Sequence, residues 1–216
     1  MRQFARAFII ANANSTGPTD RILFVNTDTA MGDNGVRRNI LAAIAADPTL
    51  SQYYNDQNFA LIGTHQHSGV GGYLENLLPQ LTSLGYVNQT AQAIVDGVLA
   101  ASRAAHSSLE PGTLSSGITT LLNTNANRSP TAYLANPASE IAMYEYDQDK
   151  NFTLINFEDN LGNSRGFLGF FAVHGTSIYE NNTLVSSDNK GYAAFLAENA
   201  RATDGEFPGK TSYVAG

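Results

Sequence analysis

Arg21-Ile22-Leu23-Phe24-Val25-Asn26-Thr27 decides the fold class together with the two elements after it. Its β-branched and aromatic residues mark a strand. A glycine-containing turn, Met31-Gly32-Asp33-Asn34-Gly35, leads into a helical stretch from about Val36 to Ala46. Asp47-Pro48 ends it, because a residue that precedes proline is pushed out of the helical region. Phe59 to Thr64 then supplies a second apolar strand. Strand, helix and strand in this order form a βαβ unit, the opening of an α/β fold.

Upstream, Met1 to Arg6 followed by Ala7 to Ala11 imitates a secretory leader. Its apolar run falls short of the usual 7–15 or so residues, so it reads as a strand. Downstream, Ala91, Ile94, Val95, Val98, Ala101 and Ala105 recur at helical spacing and predict an amphipathic helix from about Asn88 to His106. After Pro111-Gly112 come expected strands at Thr113–Leu121, Ala142–Tyr146, Phe152–Phe157 and Gly166–Val173. Turns are expected at Asp147-Gln148-Asp149 and Asn160-Leu161-Gly162-Asn163, and a last helix from about Gly191 to Arg201. No repeat, linker or low-complexity stretch divides residues 1–216. They read as one α/β unit of mixed β-sheets with flanking helices.

Several function classes are excluded by bulk properties. The net charge is −7 and the only adjacent basic residues are Arg37-Arg38, whereas nucleic-acid binding needs clustered cations. No apolar run reaches the roughly 18 residues needed to span a bilayer. With no cysteine, disulfides, thiolate metal sites and a cysteine nucleophile are all absent. Asn14-Ser15-Thr16, Asn88-Gln89-Thr90, Asn151-Phe152-Thr153 and Asn181-Asn182-Thr183 match the N-glycosylation acceptor pattern, a mild pointer to secretion in an asparagine-rich chain.

The chemistry concentrates in two segments. Gly63-Thr64-His65-Gln66-His67-Ser68-Gly69 places two histidines after an apolar strand and before a glycine-rich turn. On extended backbone, residues two apart share a face, so His65 and His67 can share one metal. Two hydrogen-bonded histidines closing a loop would look the same. Phe171-Ala172-Val173-His174-Gly175-Thr176-Ser177 ends another apolar run on a histidine, which by itself fits a satisfied core residue as well as a ligand. Arg128, in the polar loop Asn125-Ala126-Asn127-Arg128-Ser129-Pro130, is suited to an oxyanion or polar head group, or is a plain surface cation. Ser186 to Gly191 reads as a helix-capping turn, His106 as structural, and Gly32 to Gly35 as a weak candidate for an anion at a helix N-terminus.

Five ordered blocks resemble the neutral (non-lysosomal) ceramidase family: Thr27 to Arg38, Thr64 to Tyr73, Asn127-Arg128-Ser129-Pro130 with Ala132 to Leu134 and Asn136-Pro137, Phe171 to Ser177, and Ser187 to Gly191. Val70, where many members carry proline, and Ile141, where arginine is common, depart from the pattern away from the proposed ligands. The resemblance implies part of the neutral ceramidase catalytic domain. It implies a zinc (Zn2+) amidohydrolase that cleaves ceramide, drawn from a membrane surface, into sphingosine and a fatty acid. By the same resemblance His65 and His174 are zinc ligands, whereas His67 and Arg128 line the site. Only the first histidine of the His-x-His pair then binds metal, against the reading of the bare motif.

Family members are several times longer, with a glutamate and a tyrosine as further zinc ligands and a serine in an Asp-x-Ser-Pro-Asn-like motif downstream. The resemblance therefore implies an internal piece or a truncated product, inactive by itself, of a secreted or membrane-associated enzyme. Two alternatives remain: a zinc amidohydrolase using His65, His67 and His174 together, and a non-catalytic lipid-binding fragment of the same fold.

Overall fold

A computed structural model describes residues 2–179, 181–201 and 213–216. Strand β1 (Ala5–Ala11) pairs antiparallel with β2 (Arg21–Thr27), so the leader-like segment is indeed a strand. Helix α1 (Asn34–Ala46) comes next in the chain, and β3 (Phe59–Gly63) pairs parallel with β2 in the register Leu23 to Phe59. This completes the expected βαβ unit. Asp33 starts α1 by accepting hydrogen bonds from the backbone N–H groups of Gly35 and Val36, and so occupies the slot considered for an external anion. At the other end Asp47 turns the chain by accepting from the N–H groups of Thr49 and Leu50.

Two helices come after β3, α2 (Leu77–Thr82) and the long α3 (Asn88–Ser107). The buried face of α3 is Ala91, Val95 and Val98, as its spacing predicts, with Ser102 in place of Ala101 and Ala105, which are half-buried, and it packs on β1 and α1. Leu23, Val25, Val36, Ile40, Ile44, Leu50 and Phe59 fill the space between this sheet and its helices. Each such side chain contributes roughly 1.5–3 kcal/mol on leaving water. His106 is structural, as expected. Its Nδ1 lies 3.0 Å from the Tyr54 hydroxyl, and its ring packs against Tyr53.

The second sheet runs β4 (Gly112–Thr120), then, beyond the short helices α4 (Pro130–Leu134) and α5 (Ala138–Ile141), β5 (Asn151–Asp159) and β6 (Ser164–Phe170). Helix α6 (Asp188–Asn199) precedes the two-residue β7 (Val214–Ala215), which pairs parallel with β6. The β5–β6 hairpin turns where expected. Asp159 accepts from the N–H groups of Leu161 and Asn163, and Gly162 takes the left-handed conformation that glycine tolerates.

Three expectations are corrected. Ala142–Tyr146 is not a strand, because Met143 and Tyr144 are exposed and its alternating residues face no sheet. The turn at 147–149 therefore closes no hairpin. β6 stops at Phe170, four residues short of His174, which lies on irregular backbone. The last helix begins at Asp188 rather than Gly191, and its N-cap residue Ser187 makes no side-chain capping bond.

Phe8 against Phe157 and Phe24 against Phe170 join the two sheets. Between them Arg6 is buried with its Nε 2.9 Å from Glu198 and its Nη1 3.3 Å from Asp28. A cleft of about 860 Å3 opens beside this cluster, lined by β1, the end of α3 and β4. Neither the three site histidines nor Arg128 lines it.

Candidate metal centre

Each sheet sends one chain segment to a common point. Beyond β3, the N–H of His65 donates to the Thr29 carbonyl at 3.0 Å, and His65 adopts φ +62°. A left-handed residue is strained for a side chain other than glycine, and such strain clusters at sites where the surroundings enforce it. The His-x-His segment is thus bent, not extended, and strand alternation is not what brings its rings together.

Beyond β6, Gly175 forms an isolated parallel bridge with Gln66, and the N–H of His67 donates to the Gly175 carbonyl at 3.0 Å. Only glycine fits there. A Cβ on residue 175 would stand 2.4 Å from the His65 carbonyl oxygen. This contact between the two segments sets His174 against the His-x-His pair.

The three imidazoles converge as a result. His174 Nε2 lies 2.9 Å from His67 Nε2, which lies 3.4 Å from His65 Nε2. One ring nitrogen from each histidine falls within 4.8 Å of the other two, so the group is placed to share one metal ion. The chemistry of His65 fits that use. Its Nδ1 is 2.6 Å from the Ala30 carbonyl oxygen, which can only accept. Nδ1 therefore carries the proton and Nε2 presents a free lone pair to the cluster, the tautomer that ligation requires.

The local electrostatics act in the same direction. Partial desolvation lowers the pKa of His67, whose ring is otherwise exposed, and the neighbouring His65 and Arg128 lower it further while Asp188 opposes them. For His174 burial is again the first cause, with the charges of Arg128, His65, His67 and Lys190 after it. Both rings are thereby held neutral at physiological pH, the form that donates a lone pair to a metal. Arg128 is exposed and close enough to act electrostatically on both histidines. Its loop is tied to the His174 segment through Asn125, whose Nδ2 donates to the Ala172 carbonyl at 2.7 Å. All four residues expected from the sequence thus gather in one region.

Sequence reasoning missed the groups that hold them. Ala30 acts through its backbone, which no residue type reveals. Gln66, between the two histidines, is buried and donates from Nε2 to the Asp28 carbonyl at 2.8 Å. Asp188 and Asn189 sit in a motif that the sequence singled out, with a capping role in view. They reach across to the loop after His174 instead.

Comparison with known proteins shows the family. A family profile described as neutral/alkaline non-lysosomal ceramidase, N-terminal, matches residues 1–216. The neutral ceramidase of Drosophila melanogaster is 38% identical over 213 residues, which span 99% of this chain and 29% of that protein. Its counterpart from Oryza sativa subsp. japonica is 42% identical over 194 residues, 90% of this chain and 24% of the other. Among solved structures, the neutral ceramidase from Pseudomonas aeruginosa superposes with a TM-score of 0.88 at 38% identity, over all of this chain and 32% of its own. A structure described as ceramidase complexed with C2 gives a TM-score of 0.87 at 38% identity, with 31% of that chain covered. The present chain thus spans less than a third of the length of these relatives.

Proposed function

Because this chain belongs to the neutral/alkaline non-lysosomal ceramidase family, we propose that it carries the histidine-bearing part of a zinc-dependent site that hydrolyses the amide bond of ceramide. The products are sphingosine and a fatty acid. The observation that carries this reading is the convergence of His65, His67 and His174, with the tautomer of His65 fixed by Ala30. His65 and His174 would hold the metal, one from the segment beyond each sheet. Bound there, zinc would supply a Lewis acid for the amide carbonyl and lower the pKa of a water for attack.

The remaining chemistry belongs to the chain. His67, whose pKa is lowered by partial desolvation and by neighbouring Arg128, orients polar groups of the substrate. The Arg128 guanidinium is always charged and faces the negative charge that develops on the carbonyl oxygen in the tetrahedral state. Substrate comes from a membrane surface, and the intact enzyme is secreted or membrane-associated. No helix among the described residues is long and apolar enough to cross a membrane.

Two imidazoles fall short of the three protein ligands that catalytic zinc ordinarily takes. The 216-residue chain by itself is therefore expected to bind zinc weakly and to leave ceramide uncleaved. Chelator-sensitive fatty-acid release by the purified chain would refute that.

One observation favours a second reading, in which His67 is the third ligand. Nitrogens bound about 2.0–2.1 Å from one tetrahedral zinc stand roughly 3.3–3.4 Å apart; the His65–His67 separation is 3.4 Å, and the 2.9 Å between His67 and His174 would have to widen on binding. Metal analysis of single variants decides between them. His65→Ala and His174→Ala should each lower zinc content, and His67→Ala should spare zinc while impairing turnover in the whole enzyme. Arg128→Ala should reduce turnover by about 100-fold or more with thermal stability unchanged. A metal site emptied by His67→Ala would establish the three-histidine reading, and zinc content unaffected by all three histidine variants would defeat both.

A further inference from the structure

The backbone that carries His174 is neither strand nor helix, yet each carbonyl from residue 172 to residue 175 has a hydrogen-bond donor. Asn125 Nδ2 donates to Ala172, Lys190 Nζ to Val173, Asn189 Nδ2 to His174 at 2.8 Å, and the His67 N–H to Gly175 at 3.0 Å. Two of these four donors come from consecutive residues at the start of α6. The residue before them continues the series. Asp188 accepts from the N–H of Ser177 at 3.0 Å through Oδ1 and from that of Ile178 at 3.1 Å through Oδ2. Its carboxylate is buried, and Asp188 itself is left-handed at φ +54°. A conformation of this kind persists only where surrounding contacts hold it. Asn189 adds a second bond, 3.0 Å to the Ser177 hydroxyl.

We propose that Asp188, Asn189 and Lys190 form a backbone clamp that positions His174 for the metal. None of the three side chains takes part in the three-nitrogen cluster, and each grips the main chain of residues 173–178. Among the described residues its backbone ties to a neighbouring segment amount to the bridge at Gly175, so side chains do much of what neighbouring strands do elsewhere. Outer partners of this kind commonly change metal affinity by about 10–100-fold. These are positioning residues, and the inference rests on the reading of His174 as a zinc ligand.

The test uses the full chain and zinc alone, titrated in competition with a chelating dye. Asn189→Leu keeps the branching at Cγ, with a somewhat larger side chain, and removes both bonds. Asp188→Asn leaves one oxygen to accept and turns an amide N–H toward a backbone N–H. Ser187→Ala is the control, since it loses a buried bond to the Arg2 carbonyl at the same helix start without touching residues 173–178. Both clamp variants should bind zinc at least about tenfold more weakly, and the control should bind as the parent does even if its Tm falls.

A second measurement needs no metal. In the metal-free chain the His174 ring nitrogen resonances should shift or broaden in Asn189→Leu and Asp188→Asn, while those of His65 stay in place. Parental zinc affinity in both clamp variants, or a His174 signal that does not move, overturns the proposal. If the parent chain itself binds no zinc, the affinity arm reports only that this stretch holds too few ligands, and the His174 resonances still decide the clamp.

Discussion

Gly175→Ala is the sharpest perturbation that the structure offers. The obstacle is contact alone, since Gly175 is not at positive φ. The added Cβ would lie 2.4 Å from the His65 carbonyl oxygen and 2.6 Å from the Gln66 Cα, both backbone atoms that no rotamer change can move. Ordinary contact begins at 3.4 Å, so the two segments must part by about 1.0 Å. That separation breaks the Gln66–Gly175 bridge and carries His174 away from the other two rings. Overpacking of this kind costs typically 1–3 kcal/mol. At about 2 kcal/mol, a chain of this size should lose roughly 4–8 °C in Tm.

Zinc affinity should fall by about 10–100-fold, the usual effect of disturbing a ligand's support. Gly117→Ala, where no atom lies within 4 Å of the new Cβ, is the matched control. It should be neutral or gain up to about 1 kcal/mol. Calorimetry and zinc titration of the two variants settle the matter. A Gly175→Ala chain that melts within a degree of the parent and binds zinc equally would refute the argument from close approach.

Two further expectations concern charge. Arg6→Ala leaves the Asp28 and Glu198 carboxylates buried without a cation. The loss should be about 3–5 kcal/mol, read from a urea midpoint, and a loss below about 1 kcal/mol would show that water already reaches the cluster. In metal-free protein, His67 and His174 are held below the ordinary histidine pKa by burial and neighbouring charges. As the pH falls through about 6.5, the unfolded chain takes up protons that the folded chain refuses. Stability should therefore drop as the pH falls below about 6.5, and well above it the two histidines contribute nothing to the slope. The urea midpoint of a His67→Gln, His174→Gln double variant should depend on pH less steeply, and an equal dependence would assign the effect to other groups.

What was legible in the sequence is what local pattern encodes. The β2–α1–β3 unit and α3 emerge from apolar spacing within single elements, and the five-block resemblance pointed to His65, His67, His174 and Arg128. Ala142–Tyr146 misled because alternating aromatic residues satisfy a strand pattern even where no neighbouring strand receives them. The short helices α2, α4 and α5 have at most six residues, too few for a periodic signal or for much stability of their own. The Arg6 cluster joins residues 192 positions apart, and the clamp acts through backbone atoms of distant residues. Neither leaves a trace in local spacing.

The distance along the chain between the two halves of the histidine cluster has a kinetic meaning. His67 and His174 are 107 residues apart, so their meeting closes a loop whose chain entropy opposes it by about 4 kcal/mol. A nascent or partly folded chain can offer an ion the neighbouring His65 and His67, but not the third imidazole. Tight capture must wait until both sheets have docked and Gly175 has reached Gln66. On the proposed metal site, loading would report completed folding, and an ion once seated would tie the two sheets together as a cross-link spanning half of the sequence.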